Sequence, residues 1–111
     1  MTQSELFVAL GSLGIPVAYS EFVSTSENPA PAPPFITYQF TNDDDFKADN
    51  HNYVEISSFN IELYANKKDP VTEKLVQDKL KELRLPYSKS ETWIDSEKMF
   101  QVVYTIQLIG G

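Results

Sequence analysis

Phe46-Lys47-Ala48-Asp49-Asn50-His51-Asn52-Tyr53 leads directly into Val54-Glu55-Ile56-Ser57-Ser58-Phe59-Asn60-Ile61-Glu62-Leu63-Tyr64-Ala65, after which Asn66-Lys67-Lys68 reach Asp69-Pro70-Val71-Thr72-Glu73. Its middle is rich in apolar and β-branched residues and predicts one long strand from Tyr53 to Ala65. The apolar positions are even-numbered at Val54 and Ile56 but odd-numbered at Phe59, Ile61 and Leu63. Side chains alternate strictly along a strand, so the switch requires a bulge near Ser57 and Ser58, or an outer half that packs on a different body. Asp69-Pro70 then starts a helix, with Asp69 as N-cap and Pro70 at the first helical position, where its missing N–H costs nothing. The helix is expected to run to about Leu83. Val71, Leu75, Val76, Leu80 and Leu83 form its expected buried stripe, and Lys79, Lys81 and Arg84 complement the negative end of its dipole. Leu85-Pro86 ends it.

Working outward, residues 4–10 predict a short helix capped by Thr2 or Ser4 and ended by Gly11 or Gly14, with Leu6, Phe7 and Leu10 on one face. Ile15 to Tyr19 is a brief extended segment that Pro16 confines to a sheet edge. Residues 24–34 hold four prolines and read as an extended, polyproline-like connector. Phe35 to Phe40 is a strand, and residues 42–52 are an acidic loop. Tyr87 to Ile94 and Phe100 to Ile109 form a hairpin around Asp95-Ser96-Glu97-Lys98, the second strand showing half-buried alternation. The order of elements predicts an α+β fold: residues 1–111 as a single two-layer domain, an antiparallel sheet with two helices packed on one face.

A chain of 111 residues with 41% apolar and 13% aromatic residues buries enough surface to fold despite a net charge of −7. The charge is unevenly placed. Glu5, Glu21, Glu27, Asp43, Asp44, Asp45, Asp49 and Glu55 face only Lys47 in the first half, whereas acids and bases balance from residue 58 onward. Such a chain repels phosphate and has no Lys/Arg cluster to displace DNA counterions, which argues against direct DNA binding. Cysteine is absent, which removes disulfides, thiolate metal sites and cysteine nucleophiles. No secretory leader pattern and no membrane-spanning apolar run is present, so a soluble, unexported protein is expected.

Asn42-Asp43-Asp44-Asp45 with Asp49 and Asn50 offers oxygen ligands to calcium, but the spacing fails. Lys47 occupies a ligand position of the EF-hand pattern, and Ala48 stands where its turn glycine belongs. His51 is the only histidine and, between two asparagines, reads as a turn residue rather than a base. Phosphate-cradling and nucleophile-elbow motifs are missing, and the pair Glu91 and Asp95 beside Trp93 makes a poor glycosidase site. No catalytic residue, metal or cofactor is expected. Tyr53, Phe59, Ile61, Tyr64 and Trp93 are candidates for a subunit or partner interface, since aromatic residues are enriched at such contacts, with core packing the competing role for Trp93.

Several phrases in order resemble small proteins of siphophages and prophages of Gram-positive bacteria, of the head–tail connector or tail-terminator type. They are Pro33-Pro34-Phe35-Ile36-Thr37-Tyr38; Phe46-x-Ala48-Asp49-Asn50-x-x-Tyr53; Ile61-Glu62-Leu63-Tyr64-x-x-x-Lys68-Asp69-Pro70 with Glu73; and Glu97-Lys98-Met99-Phe100-Gln101-x-x-Tyr104. The resemblance spans about residues 33 to 108. It implies a non-enzymatic tail terminator or tail-completion subunit, a homo-oligomeric ring, typically hexameric, at the head–tail joint of the virion, present in the host cytoplasm during assembly. The implied partners are the major tail-tube protein and the head-connector proteins, with DNA passing through but not bound. On that reading Asp43, Asp44, Asp45 and Asp49 line the lumen or rim, where like charge keeps DNA sliding. A head-closure or minor capsid joining protein is the alternative, and a small metal- or ligand-binding domain a further one.

Overall fold

The computed structural model describes residues 1–22 and 30–110. In chain order the elements are α1 (Gln3–Gly11), β1 (Val17–Tyr19), β2 (Phe35–Asp43), β3 (Phe46–Ala48), β4 (His51–Val54), β5 (Ile56–Ala65), α2 (Pro70–Glu82), β6 (Ser88–Ile94) and β7 (Met99–Ile109). Five strands form one sheet in the order β1-β2-β5-β7-β6, and β3 pairs with β4 in a separate two-stranded sheet. The fold is α+β. All pairings are antiparallel except β1 with β2, where Val17 lies opposite Ile36 and the Pro16 carbonyl accepts the Ile36 N–H at 2.8 Å. Pro16 thus sits at an edge, as its missing donor requires. Residues 24–29 of the Pro-rich connector lie outside the described residues, and 30–34 belong to neither helix nor strand.

Rows of apolar residues cross the middle of the sheet on one face: Ile36, Leu63 and Val102; Tyr38, Ile61 and Tyr104; Phe40, Phe59 and Ile106. Leu6 and Leu10 from α1 and Val76 and Leu80 from α2 close on this face and complete the core, so both helices cover the same side. Truncating a fully buried member such as Ile61 to alanine costs about 2–5 kcal/mol, through lost burial and the cavity left behind. The other face is polar at its centre. There Glu62 Oε2 accepts the Tyr64 hydroxyl at 2.7 Å and Gln101 Nε2 at 2.6 Å. Burial, followed by the bond to Glu62, pushes the Tyr64 hydroxyl pKa up and keeps it protonated.

Helix α1 begins with a reciprocal capping box between Thr2 and Glu5. It buries Leu6 and Leu10, but Phe7 lies half outside and stacks on Tyr38. Helix α2 is capped by Asp69, whose carboxylate accepts the Thr72 N–H and hydroxyl. It ends in a Schellman motif, in which Leu85 N–H reaches the Leu80 carbonyl and Arg84 N–H the Lys81 carbonyl. Arg84 takes the left-handed position at φ 57°.

The buried face of α2 differs from the expected stripe. Thr72, Glu73, Val76 and Leu80 point inward, Val71 and Leu75 are exposed, and Leu83 is half-buried. Lysines from outside the helix account for the rotation. Lys68 and Lys89 hold the Glu73 carboxylate at 2.9 and 2.7 Å, and Lys68 also reaches Glu91 on edge strand β6 at 2.6 Å. This network ties the start of α2 to the sheet edge. It differs in kind from the surface pairs Lys74–Asp78, Lys79–Glu82 and Lys98–Asp95, each with at least one well-exposed partner, which contribute about 0–1 kcal/mol each.

The expected single strand from Tyr53 to Ala65 is interrupted at Glu55, and its outer part, β4, belongs to the second sheet. The irregularity near Ser57 and Ser58 exists, but on the facing strand. β2 inserts Thr41 between the pairs Phe40–Phe59 and Asn42–Ser58, and the Thr41 hydroxyl donates to the Ser58 carbonyl at 3.1 Å. The expected acidic loop 42–52 is also replaced. Asn42 and Asp43 finish β2, and most of the remainder is the β3–β4 hairpin.

For Glu73, burial pulls the carboxyl pKa up, but the Lys89 and Lys68 ammonium groups outweigh it and hold the value below the ordinary 4.5. A depressed folded-state pKa gives stability that is fully present above the unfolded value and is lost as pH falls through the folded one. Glu73→Gln is expected to cost about 1–2 kcal/mol at pH 7, discounted because both lysines are partly exposed. It should also flatten the stability loss below pH 4.5. Urea unfolding of both proteins from pH 7 to pH 3 checks this, and parallel pH curves would contradict it.

Candidate functional site

The β3–β4 hairpin is an arm. Its strands contact chiefly each other, and the described residues extend 50 × 30 × 27 Å. An isolated two-stranded hairpin is marginally stable in water, so the arm's geometry depends on how its base is fixed. Asp45 does much of this. Its Oδ1 accepts the Ile56 N–H at 2.7 Å and its Oδ2 accepts Asn52 Nδ2 at 2.7 Å, joining the entry of β3 to the exit of β4. Beside it, Asp44 N–H donates to the Ile56 carbonyl at 2.7 Å, Gln107 Nε2 donates to Asp44 Oδ2 at 3.1 Å, and Gly110 N–H donates to the Glu55 carbonyl at 2.7 Å.

At the tip, Asp49 and Asn50 take φ values of 50° and 64°, the left-handed pair that closes a two-residue hairpin with the right twist. Aspartate and asparagine tolerate this conformation better than other non-glycine residues. His51 Nδ1 lies 3.2 Å from the Asp49 carbonyl and supports the same turn. Of the four acidic candidates, Asp44 and Asp45 therefore serve the base of the arm, while Asp43 and Asp49 are exposed. Among the described residues, no three histidine, cysteine, aspartate or glutamate side chains group to hold a metal ion. None of the helices described is long and apolar enough to cross a membrane.

The five interface candidates divide. Tyr53 is 67% exposed on the arm and meets Phe46, 58% exposed, edge to face at 6.5 Å between ring centroids. Phe46 was not singled out by sequence, because its acidic neighbours obscure a strand. Trp93 is 44% exposed, packs at 4.8 Å on Phe100 and turns its Nε1 towards Asp95. Tyr64 lies on the polar face, stacked on Phe35 at 5.0 Å. Phe59 and Ile61 are core residues, corrected from interface candidates, because the odd-numbered face of β5 is the one the helices cover. Val8, Val71 and Leu75 are further exposed apolar side chains that periodicity alone assigned inward or passed over.

The arm thus presents two largely exposed aromatic rings to solvent. Burial, then the charge of Glu73, pushes the Tyr104 pKa far up, and its hydroxyl donates to Gln77 Oε1 at 3.1 Å. Compared with known proteins, the sequence matches no family model and no curated protein.

Removing the carboxylate that fixes the arm is expected to loosen it without unfolding the core. Asp45→Ala should cost about 1.5–3 kcal/mol locally, the range for hydrogen bonds to a charged group. Hydrogen exchange read by NMR should show faster exchange at Ile56 and across β3 and β4, with β5–β7 amides beyond Phe59 unchanged. Equal acceleration throughout the sheet would contradict an independent arm.

Proposed function

We propose that this chain is a non-enzymatic structural subunit of a tailed-phage or prophage virion, a tail terminator or tail-completion protein that closes into a ring at the head–tail joint. The observation that carries the reading is the arm: a hairpin with two exposed aromatic rings, held clear of a domain whose own core is already closed. A monomer gains nothing in stability from leaving Phe46 and Tyr53 in water, whereas an assembling subunit uses such rings as contact anchors. Ring closure requires head-to-tail contacts between two different surfaces of one subunit. The order of sequence phrases that resembles siphophage connector proteins suggests the particular setting.

Charge fits the same role. Asp43, Asp49 and Glu55 lie exposed along the arm and its base, and an acidic rim repels the DNA backbone as it passes. Glu55 joins the acidic set because it occupies the break between β4 and β5. The partners on this reading are further copies of the chain, the major tail-tube protein and the head-connector proteins.

Two results test the proposal. Loss of the gene from its phage should leave overlong or unattached tails, and light scattering with purified tail tubes should show a discrete oligomer captured at one tube end. Normal virions from the knockout would contradict the reading. Antibody labelling on the head shell instead of the neck would transfer it to a head-closure or minor capsid role.

A further inference from the structure

Strand β7 is longer than its neighbour. β5 pairs with it as far as Ile109, but β6 begins opposite Thr105, so Ile106 to Ile109 have a strand on one side only. The cause is local. Arg84 turns the chain out of α2 in the left-handed conformation, and Pro86, two residues before β6, has no N–H to offer a ladder. The result is a notch in the sheet edge, walled by Pro86, Tyr87 and Ser88 and by the exposed Ile109.

This edge differs from the outer edge of β6. There, Lys89 and Glu91 belong to the Glu73 network and place charge on the strand, a common guard against further pairing. The notch carries no such guard on the strand itself. Its wall continues through Pro86 and Tyr87 to Lys81 and Arg84, neither of which makes an ion pair among the described residues.

We infer that the notch beside β7 receives strand β4 of the arm of a second copy of this chain, which adds to the sheet edge collinear with β6. Three observations select this occupant. β4 has four residues, the length of the open stretch. Carboxylates cluster at the base of the arm, at Asp43, Asp44, Asp45 and Glu55, and Asp49 at its tip faces Lys47, whereas the hollow adjoining the notch holds Lys81 and Arg84. Phe46 and Tyr53 present apolar surface, and Pro86, Tyr87 and Ile109 offer the matching wall. Main-chain pairing supplies affinity and the flanking side chains supply selection, as in strand addition generally. The contact joins two different surfaces, as a ring requires. The inference rests on the proposal that the chain assembles with copies of itself, and it names the contact.

The absence of native cysteine makes cross-linking a clean test. One copy carries Gln107→Cys at the notch, and a second carries His51→Cys or, separately, Asn52→Cys on the arm. Successive strand residues point to opposite faces, so one arm position shares the face of Gln107 in either strand direction. Mild oxidation of the mixtures should give a covalent heterodimer with one arm position, and none when the arm cysteine is replaced by Asp78→Cys on α2. In parallel, Phe46→Ser with Tyr53→Ser, both at exposed positions, should raise the association midpoint seen by light scattering about tenfold or more, with an unchanged circular dichroism spectrum. A wild type that forms its oligomer while neither cross-link appears and the double variant associates normally would overturn the arm contact, leaving the notch to a strand of another protein and the ring proposal standing. A wild type that stays monomeric at every concentration would overturn both.

Discussion

Strand β5 is paired along its length on both sides, and that constraint organises the rest of the molecule. Once β2 and β7 flank it, the alternation of its side chains sends Phe59, Ile61 and Leu63 to one face and Ser58, Asn60, Glu62 and Tyr64 to the other. The apolar face must be covered, and α1 and α2 cover it through Leu6, Leu10, Val76 and Leu80. The polar face keeps its buried carboxylate satisfied through Tyr64 and Gln101. Moving β5 by one residue would reverse both faces at once.

Where β5 stops, a different logic takes over. Asp45 accepts from the Ile56 amide and from Asn52, turning the continuation of the β2–β5 hairpin into a separate arm. Its rings, Phe46 and Tyr53, meet each other yet stay largely exposed. At the neighbouring edge, Arg84 and Pro86 delay β6 and leave the end of β7 open. A surplus strand and a missing strand thus arise at one end of the same sheet, each from identifiable residues.

Much of this architecture was legible in the sequence. Asp69-Pro70 marked the start of α2, the 95–98 turn marked the last hairpin, and Pro16 marked an edge, since each acts through backbone chemistry within a few residues. The α+β class followed from their order. Other features depend on distant partners and were not legible. The rotation of α2 is set by Lys68 and Lys89 meeting Glu73, and helical periodicity knows nothing of either lysine. The face switch around Ser57 reported a mismatch between strands, but not that Thr41 on β2 supplies the extra residue. Asp49-Asn50 read as part of an acidic run, although the same two residues are among the few that close a tight hairpin. Phe59 and Ile61 looked like interface candidates because a long apolar strand does not announce which of its faces the helices will take.

On the proposed reading the molecule is a self-sufficient core with an arm that assembly completes. Amide hydrogen exchange, followed by mass spectrometry on the free protein and on the proposed assembly with tail tubes, tests that division most directly. In the free state β5 and β7 should exchange slowly and β3–β4 quickly; on assembly the arm and residues 106–109 should become protected together while the core changes little. Arm amides that exchange as fast in the assembled state as in the free one would contradict the account.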